Sequence, residues 1–213
     1  MLFLEDITHK HWFIIIIETY WITLGEITTI SFGGQHPLMY GRRPAWYYEE
    51  GKYGGLINDI GIHGIDILPF VFGINAETTL AARCWNKYAT DHPDFTDCGQ
   101  FMLTADNGAG ILGDVSYAIP DGIEFALPYY WQFYVWGTKG MIAFSLNEKE
   151  TVYYLAGDKE PKPLEIVEPK EDYLTDVYRL INGEKDVVLI SEEVFKSTRK
   201  ALEIQVLSEK KQG

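Results

Sequence analysis

Gly54-Gly55-Leu56-Ile57-Asn58-Asp59-Ile60-Gly61-Ile62-His63-Gly64-Ile65-Asp66 is the most informative stretch of the 213-residue chain. Apolar residues continue around most of the circumference from Leu56 to Phe72, which predicts a helix buried on several sides and ended at Gly73. At ~100° per residue, Asp59, His63 and Asp66 fall within an arc of about 60°, so three ionisable groups share one edge. A carboxylate one turn from an imidazole can orient the ring, set its tautomer and raise its pKa, as a general acid/base requires. Gly54, Gly55, Gly61 and Gly64 remove side chains along the same segment, admitting another backbone or a ligand. The bland alternative is a helix capped by Asn58 or Asp59, with His63 as a satisfied core histidine.

Upstream, Leu2 to Glu5 reads as a short strand and His11 to Leu24 as an apolar helix closed by Gly25. β-Branched residues from Ile27 to Phe32 predict a strand, followed by a loop of turn formers and aromatics from Gly33 to Gly55. Downstream, strands are expected at Thr78 to Trp85, Gly99 to Ala105, Ala109 to Ala118, Tyr130 to Trp136, Met141 to Leu146 and Thr151 to Leu155. Asp106-Asn107-Gly108 is a hairpin turn, because Asn and Gly tolerate the positive φ that a type I′ turn imposes. Gly157 to Lys170 is charged and Pro-rich and reads as a surface excursion. A short helix over Glu171 to Ile181 and a final one from Ser191 to about Lys210 follow. This order predicts an α+β fold: a mainly antiparallel open sheet with helices on one face. The other face, rich in Tyr, Phe and Trp, needs a cover, and a homo-oligomer would supply it.

Composition narrows the function. Eighteen Lys+Arg against 31 Asp+Glu give a net charge of −13, which disfavours nucleic acid and anionic membrane. No apolar run reaches the ~20 residues of a membrane span, and no basic n-region opens the chain, so a cytoplasmic location is the default. Cys84 and Cys98 read as small buried strand residues in a reducing compartment. Asp6, His9 and His11 do not share a helix face, so no metal site is expected. Gly108-Ala109-Gly110-Ile111-Leu112-Gly113 spells a dinucleotide fingerprint, but Asp114-Val115-Ser116-Tyr117 continues it as a strand, with no helix to aim at a pyrophosphate. Two further candidates, His36 after the first strand and Trp46 in the aromatic loop, are placed to approach a substrate held against His63.

Gly54 to Gly73 resembles the Gfo/Idh/MocA (glucose-fructose oxidoreductase, inositol dehydrogenase, MocA) family, in which a Gly-Gly pair precedes Asp-x-x-x-His, an acidic residue and an apolar helix ending in Gly. Leu24 to Ile27, Asp106 to Ala109, Gly137-Thr138-Lys139-Gly140 and the closing helix from Ser197 extend the likeness. The resemblance implies a residual linker over 1–24 and a C-terminal substrate and oligomerisation domain over 25–213. Asp59 and His63 match the family's catalytic Asp and His. The family uses NAD or NADP on a sugar or polyol hydroxyl. Two departures stand out: only a short segment stands where a Rossmann domain of ~100 to 150 residues belongs, and the family's Glu-Lys-Pro lysine is missing, since Lys159-Glu160-Pro161 has another order and place. Pro69 is a local departure inside the helix. The expectation is a substrate domain without its cofactor domain, inactive alone. The rival is a non-enzymatic sugar-binding or dimerisation module of the same fold.

Overall fold

β-Branched and aromatic residues on alternate positions pair into one eight-stranded sheet of order β2-β3-β4-β1-β5-β6-β7-β8. The computed structural model describes residues 24–148, 151–164, 173–184, 187 and 191–210. The strand expected at Leu2 to Glu5 and the helix expected from His11 fall outside them. The strands are β1 (Ile27–Pro37), β2 (Ala76–Trp85), β3 (Cys98–Ala105), β4 (Gly110–Ile119), β5 (Gln132–Gly137), β6 (Gly140–Ser145), β7 (Thr151–Leu155) and β8 (Lys162–Leu164). Every described pairing is antiparallel except β1 with β4, which run parallel with Ile30 beside Ile111. The chain leaves β1 through the aromatic loop, returns at the sheet edge as β2, and walks inward by hairpins until β4 meets β1.

Two expectations need correction. β1 does not stop at Phe32 but runs to Pro37, carrying His36 within the sheet, because Gly33 and Gly34 remain paired to Gln132 of β5 and to β4. The Pro-rich excursion after Gly157 contains β8, which pairs with β7 after a turn in which Asp158 accepts the Leu155 N–H and the Lys162 ammonium. The Asn107 turn, by contrast, forms as read, with Gly108 at φ 85°.

Three helices, α1 (Ile62–Phe72), α2 (Tyr173–Ile181) and α3 (Ser191–Glu209), complete the described elements together with short turns. α1 and α3 lie on one face of the sheet, where Ile30, Phe32, Phe101, Leu103, Ile111, Val115, Phe133 and Val135 are buried. The helix expected from Leu56 is entered through a π turn over Ile57–Gly61. Its first N–H, on Ile57, is capped at 2.9 Å by Gln205 Oε1 from α3, a residue 148 positions away, rather than by Asn58 or Asp59. Pro69 sits in the last turn, and α1 still runs to Phe72.

The open face carries a groove of about 560 Å³ lined by Ser31, Met102, Leu112, Asp114, Gln132 and Tyr134. Among the described residues no helix is long and apolar enough to cross a membrane. α1 meets the sheet at Gly64, where an added Cβ would clash with the edge of the Phe32 ring. Gly64→Ala is therefore expected to lower stability by about 1–3 kcal/mol through overpacking, read as a reduced urea midpoint with an unchanged slope.

Candidate functional site

The parallel pair places the C-terminal ends of β1 and β4 side by side, with His36 on one and Tyr117 on the other. Trp131 immediately precedes β5, which pairs with the same end of β1. The π turn and α1 deliver Asp59, His63 and Asp66 over this rim, each half-buried and therefore within reach of solvent. The aromatic loop folds back as a 3₁₀ turn over Ala45–Tyr48.

Asp59 is the hub. Its Oδ2 accepts hydrogen bonds from the hydroxyls of both Tyr47 and Tyr117, which also contact each other. Burial, and then the Asp59 charge, pushes the Tyr47 phenol well above its ordinary range. Burial likewise raises Tyr117, with Tyr53 and Asp59 adding to it. Both phenols therefore remain donors across the physiological range. The Arg43 guanidinium lies 4.3 Å from the Tyr47 ring centre and 5.0 Å from that of Tyr117, and its Nε donates to the Leu38 carbonyl at 2.8 Å.

This differs from the helical-edge expectation in one respect. The regular spacing that put Asp59 in line with His63 assumes an uninterrupted α-helix, whereas the wider π turn lies between them. The carboxylate's hydrogen bonds go to two phenols, and the His63 ring stands edge-on to Trp131 at 6.1 Å between centres. Trp131 holds φ +49°, a region costly for a bulky side chain by about 1–3 kcal/mol. Gly34 makes that possible, because a Cβ there would overlap the indole.

His36 is buried and close enough to His63 and Arg43 to feel their charge. The Trp131 indole N–H donates to His36 Nε2 at 3.0 Å, with Tyr130 Oη 3.2 Å from the same nitrogen. That leaves the ring proton on Nδ1. Burial, then the charges of His63 and Arg43, hold its pKa down to about 3. Trp46 is 48% exposed at the rim and packs edge-on against Tyr47. The structure thus gathers His36, Asp59 and His63 at one rim with Trp46 beside them. Tyr47, Tyr117, Trp131 and Arg43 were not singled out in the sequence. Tyr47 and Arg43 stand in the aromatic loop between Gly33 and Gly55, but Tyr117 and Trp131 are ordinary strand and loop aromatics until the fold brings them together.

Gly108 to Gly113 forms the β3–β4 hairpin and the first residues of β4, with no helix after it, so these residues do not fit a dinucleotide phosphate. Among the described residues no three His, Cys, Asp or Glu side chains are grouped to hold a metal. The open-face groove lies across the sheet from Asp59 and His63.

The described residues thus form an open sheet with a histidine-bearing helix laid over the end of its central parallel pair. The family model described as the GFO/IDH/MocA C-terminal domain matches residues 23–143, more than half of the chain, and the protein belongs to this family. The fold is shared with a protein of Erwinia carotovora atroseptica (24% identity, 95% of this chain and 62% of that one, TM-score 0.76). It is shared too with an oxidoreductase from Agrobacterium radiobacter solved with NAD+, L-tartaric acid and magnesium (21%, 95% and 60%, TM-score 0.63). A third is the aldose-aldose oxidoreductase of Caulobacter crescentus, complexed with glycerol (17%, 94% and 58%, TM-score 0.67). The chain spans about 60% of the length of these structures. Comparison with curated proteins finds no match.

Tyr117→Phe is expected to remove a buried hydrogen bond to a carboxylate and cost about 1.5–3 kcal/mol in urea denaturation. His36 adds a pH dependence of defined sign. Its native pKa lies below the ordinary 6.5, so below pH 6.5 the unfolded chain takes up a proton that the native chain refuses. Stability should therefore fall as pH drops from 6.5 towards about 3, by up to about 1.4 kcal/mol per pH unit. Urea midpoints between pH 7 and pH 4 should fall less steeply in His36→Gln.

Proposed function

We propose that the chain is the substrate-side domain of an NAD(P)-dependent oxidoreductase acting on a hydroxyl of a sugar or polyol, with His63 and Asp59 as its catalytic pair. The observation that carries this reading is the half-buried His63, four residues after the half-buried Asp59, at the rim of the parallel pair, in a chain whose family is established. His63 takes the hydroxyl proton as general base. Asp59, held by two phenols, supplies a fixed negative charge nearby. His36 and Trp46 line the approach, the first as a neutral imidazole and the second as an exposed ring suited to the apolar face of a sugar. The aldose-aldose oxidoreductase and the oxidoreductase solved with NAD+, which share the fold, support this substrate class and cofactor. Binding of NAD or NADP is assigned to a dinucleotide-binding domain and not to the residues described here. Free thiols at Cys84 and Cys98 suit a cytoplasmic setting.

A second copy of the chain covers the open face, where Leu112, Tyr134 and Trp136 are 45%, 42% and 49% exposed around the Gln35–Asp114–Gln100 cluster. Light scattering should report a dimer, and Leu112→Glu should return a folded monomer. Alone, the chain should show no NAD(P)-dependent oxidation. Joined to a dinucleotide-binding domain, it should oxidise a polyol or aldose, with His63→Ala lowering kcat by about 10²–10⁴. Activity unchanged in His63→Ala would favour the non-enzymatic module.

A further inference from the structure

We propose that the site takes a sugar acid, an aldonate or uronate, with Arg43 receiving its carboxylate while a hydroxyl meets His63. This inference rests on the sugar or polyol reading above and narrows it. The chain carries 31 acidic against 18 basic side chains, so carboxylate partners for a cation are in excess. Arg42 pairs with Glu124, and Lys52, Lys162, Lys196 and Lys200 all find carboxylates. Arg43 is the half-buried cation at the functional rim, and among the described residues no carboxylate pairs with it.

Its position is nonetheless held from two sides. Nε donates to the Leu38 carbonyl, and the guanidinium lies against the faces of Tyr47 and Tyr117. Those rings turn their hydroxyls to Asp59 and stand between the two charges, so Asp59 does not consume the cation. The Nη groups make no hydrogen bond among the described residues. A planar fork held at its stem, with its terminal donors unspent, is the arrangement that receives a carboxylate through two parallel hydrogen bonds. The depressed pKa of His36, to which Arg43 contributes, places this positive charge within the same rim. A neutral polyol would leave the donors to water, whereas an aldonate spends them.

The test compares D-gluconate with sorbitol, which differ only in the terminal carboxylate, by calorimetry on the 213-residue chain. Gluconate should bind at least tenfold more tightly than sorbitol, and Arg43→Gln should bring the two within twofold. Arg43→Lys keeps the charge without the fork and should retain part of the preference; near-ultraviolet circular dichroism confirms that both variants fold. Equal affinities in the unaltered chain, or a preference that survives Arg43→Gln, overturn the inference. If sorbitol still binds and His63→Ala abolishes that binding, the sugar site stands and only the acid specificity is lost. If neither compound binds, both readings fall together.

Discussion

The contact between the Phe32 ring and the bare α-carbon of Gly64 sets how closely α1 approaches the sheet, and the site's geometry depends on it. Phe32 is itself wedged among Phe101 at 5.7 Å, Phe133 at 5.6 Å and Trp131 at 6.3 Å between ring centres. Aromatic packing of this kind is stiff, because interiors are close-packed and each ring is bounded by others. A helix seated against it has little freedom to slide. Its first turn is pinned again by Gln205 from α3. The π turn is thereby held above the ends of β1 and β4, where Asp59 meets Tyr117 and His63 meets Trp131.

Charge at this rim is arranged by burial as much as by pairing. One carboxylate is satisfied by two phenols that burial keeps protonated, and one guanidinium rests on the faces of those same phenols. A neutral imidazole, His36, is kept neutral by burial and by the indole proton directed at its lone pair. The two phenols thus stay protonated and His36 stays neutral near neutral pH. The strained backbone at Trp131 belongs to the same arrangement, since that residue touches both histidines.

The opposite face follows a different logic. It is built from the alternate residues of the same strands, so whatever packs α1 and α3 on one side leaves Met102, Leu112, Tyr134 and Trp136 on the other. The candidate site and the open-face groove are consequently separated by one sheet thickness. A change on either face reaches the other only through strand backbone.

Much of this was legible in the chain itself. Alternation and turn chemistry located most strands to within a residue or two, and the Asp59-to-His63 spacing marked the candidate site, because both signals are local and arise from backbone geometry. β8 and the glycine-rich end of β1 were not legible, since three residues or a pair of glycines form strand only when a neighbouring strand supplies the hydrogen bonds. Nor was the π turn, which breaks the helical period that the sequence spacing assumes. The sequence by itself determined the fold class and the Asp59-to-His63 spacing of the candidate site. Only the tertiary structure decided that Asp59 answers to Tyr47 and Tyr117, that His36 is neutral, and that Arg43 has no acidic partner among the described residues. Those are contacts across 12 to 95 positions of chain, where burial and distance, not local pattern, set the partner.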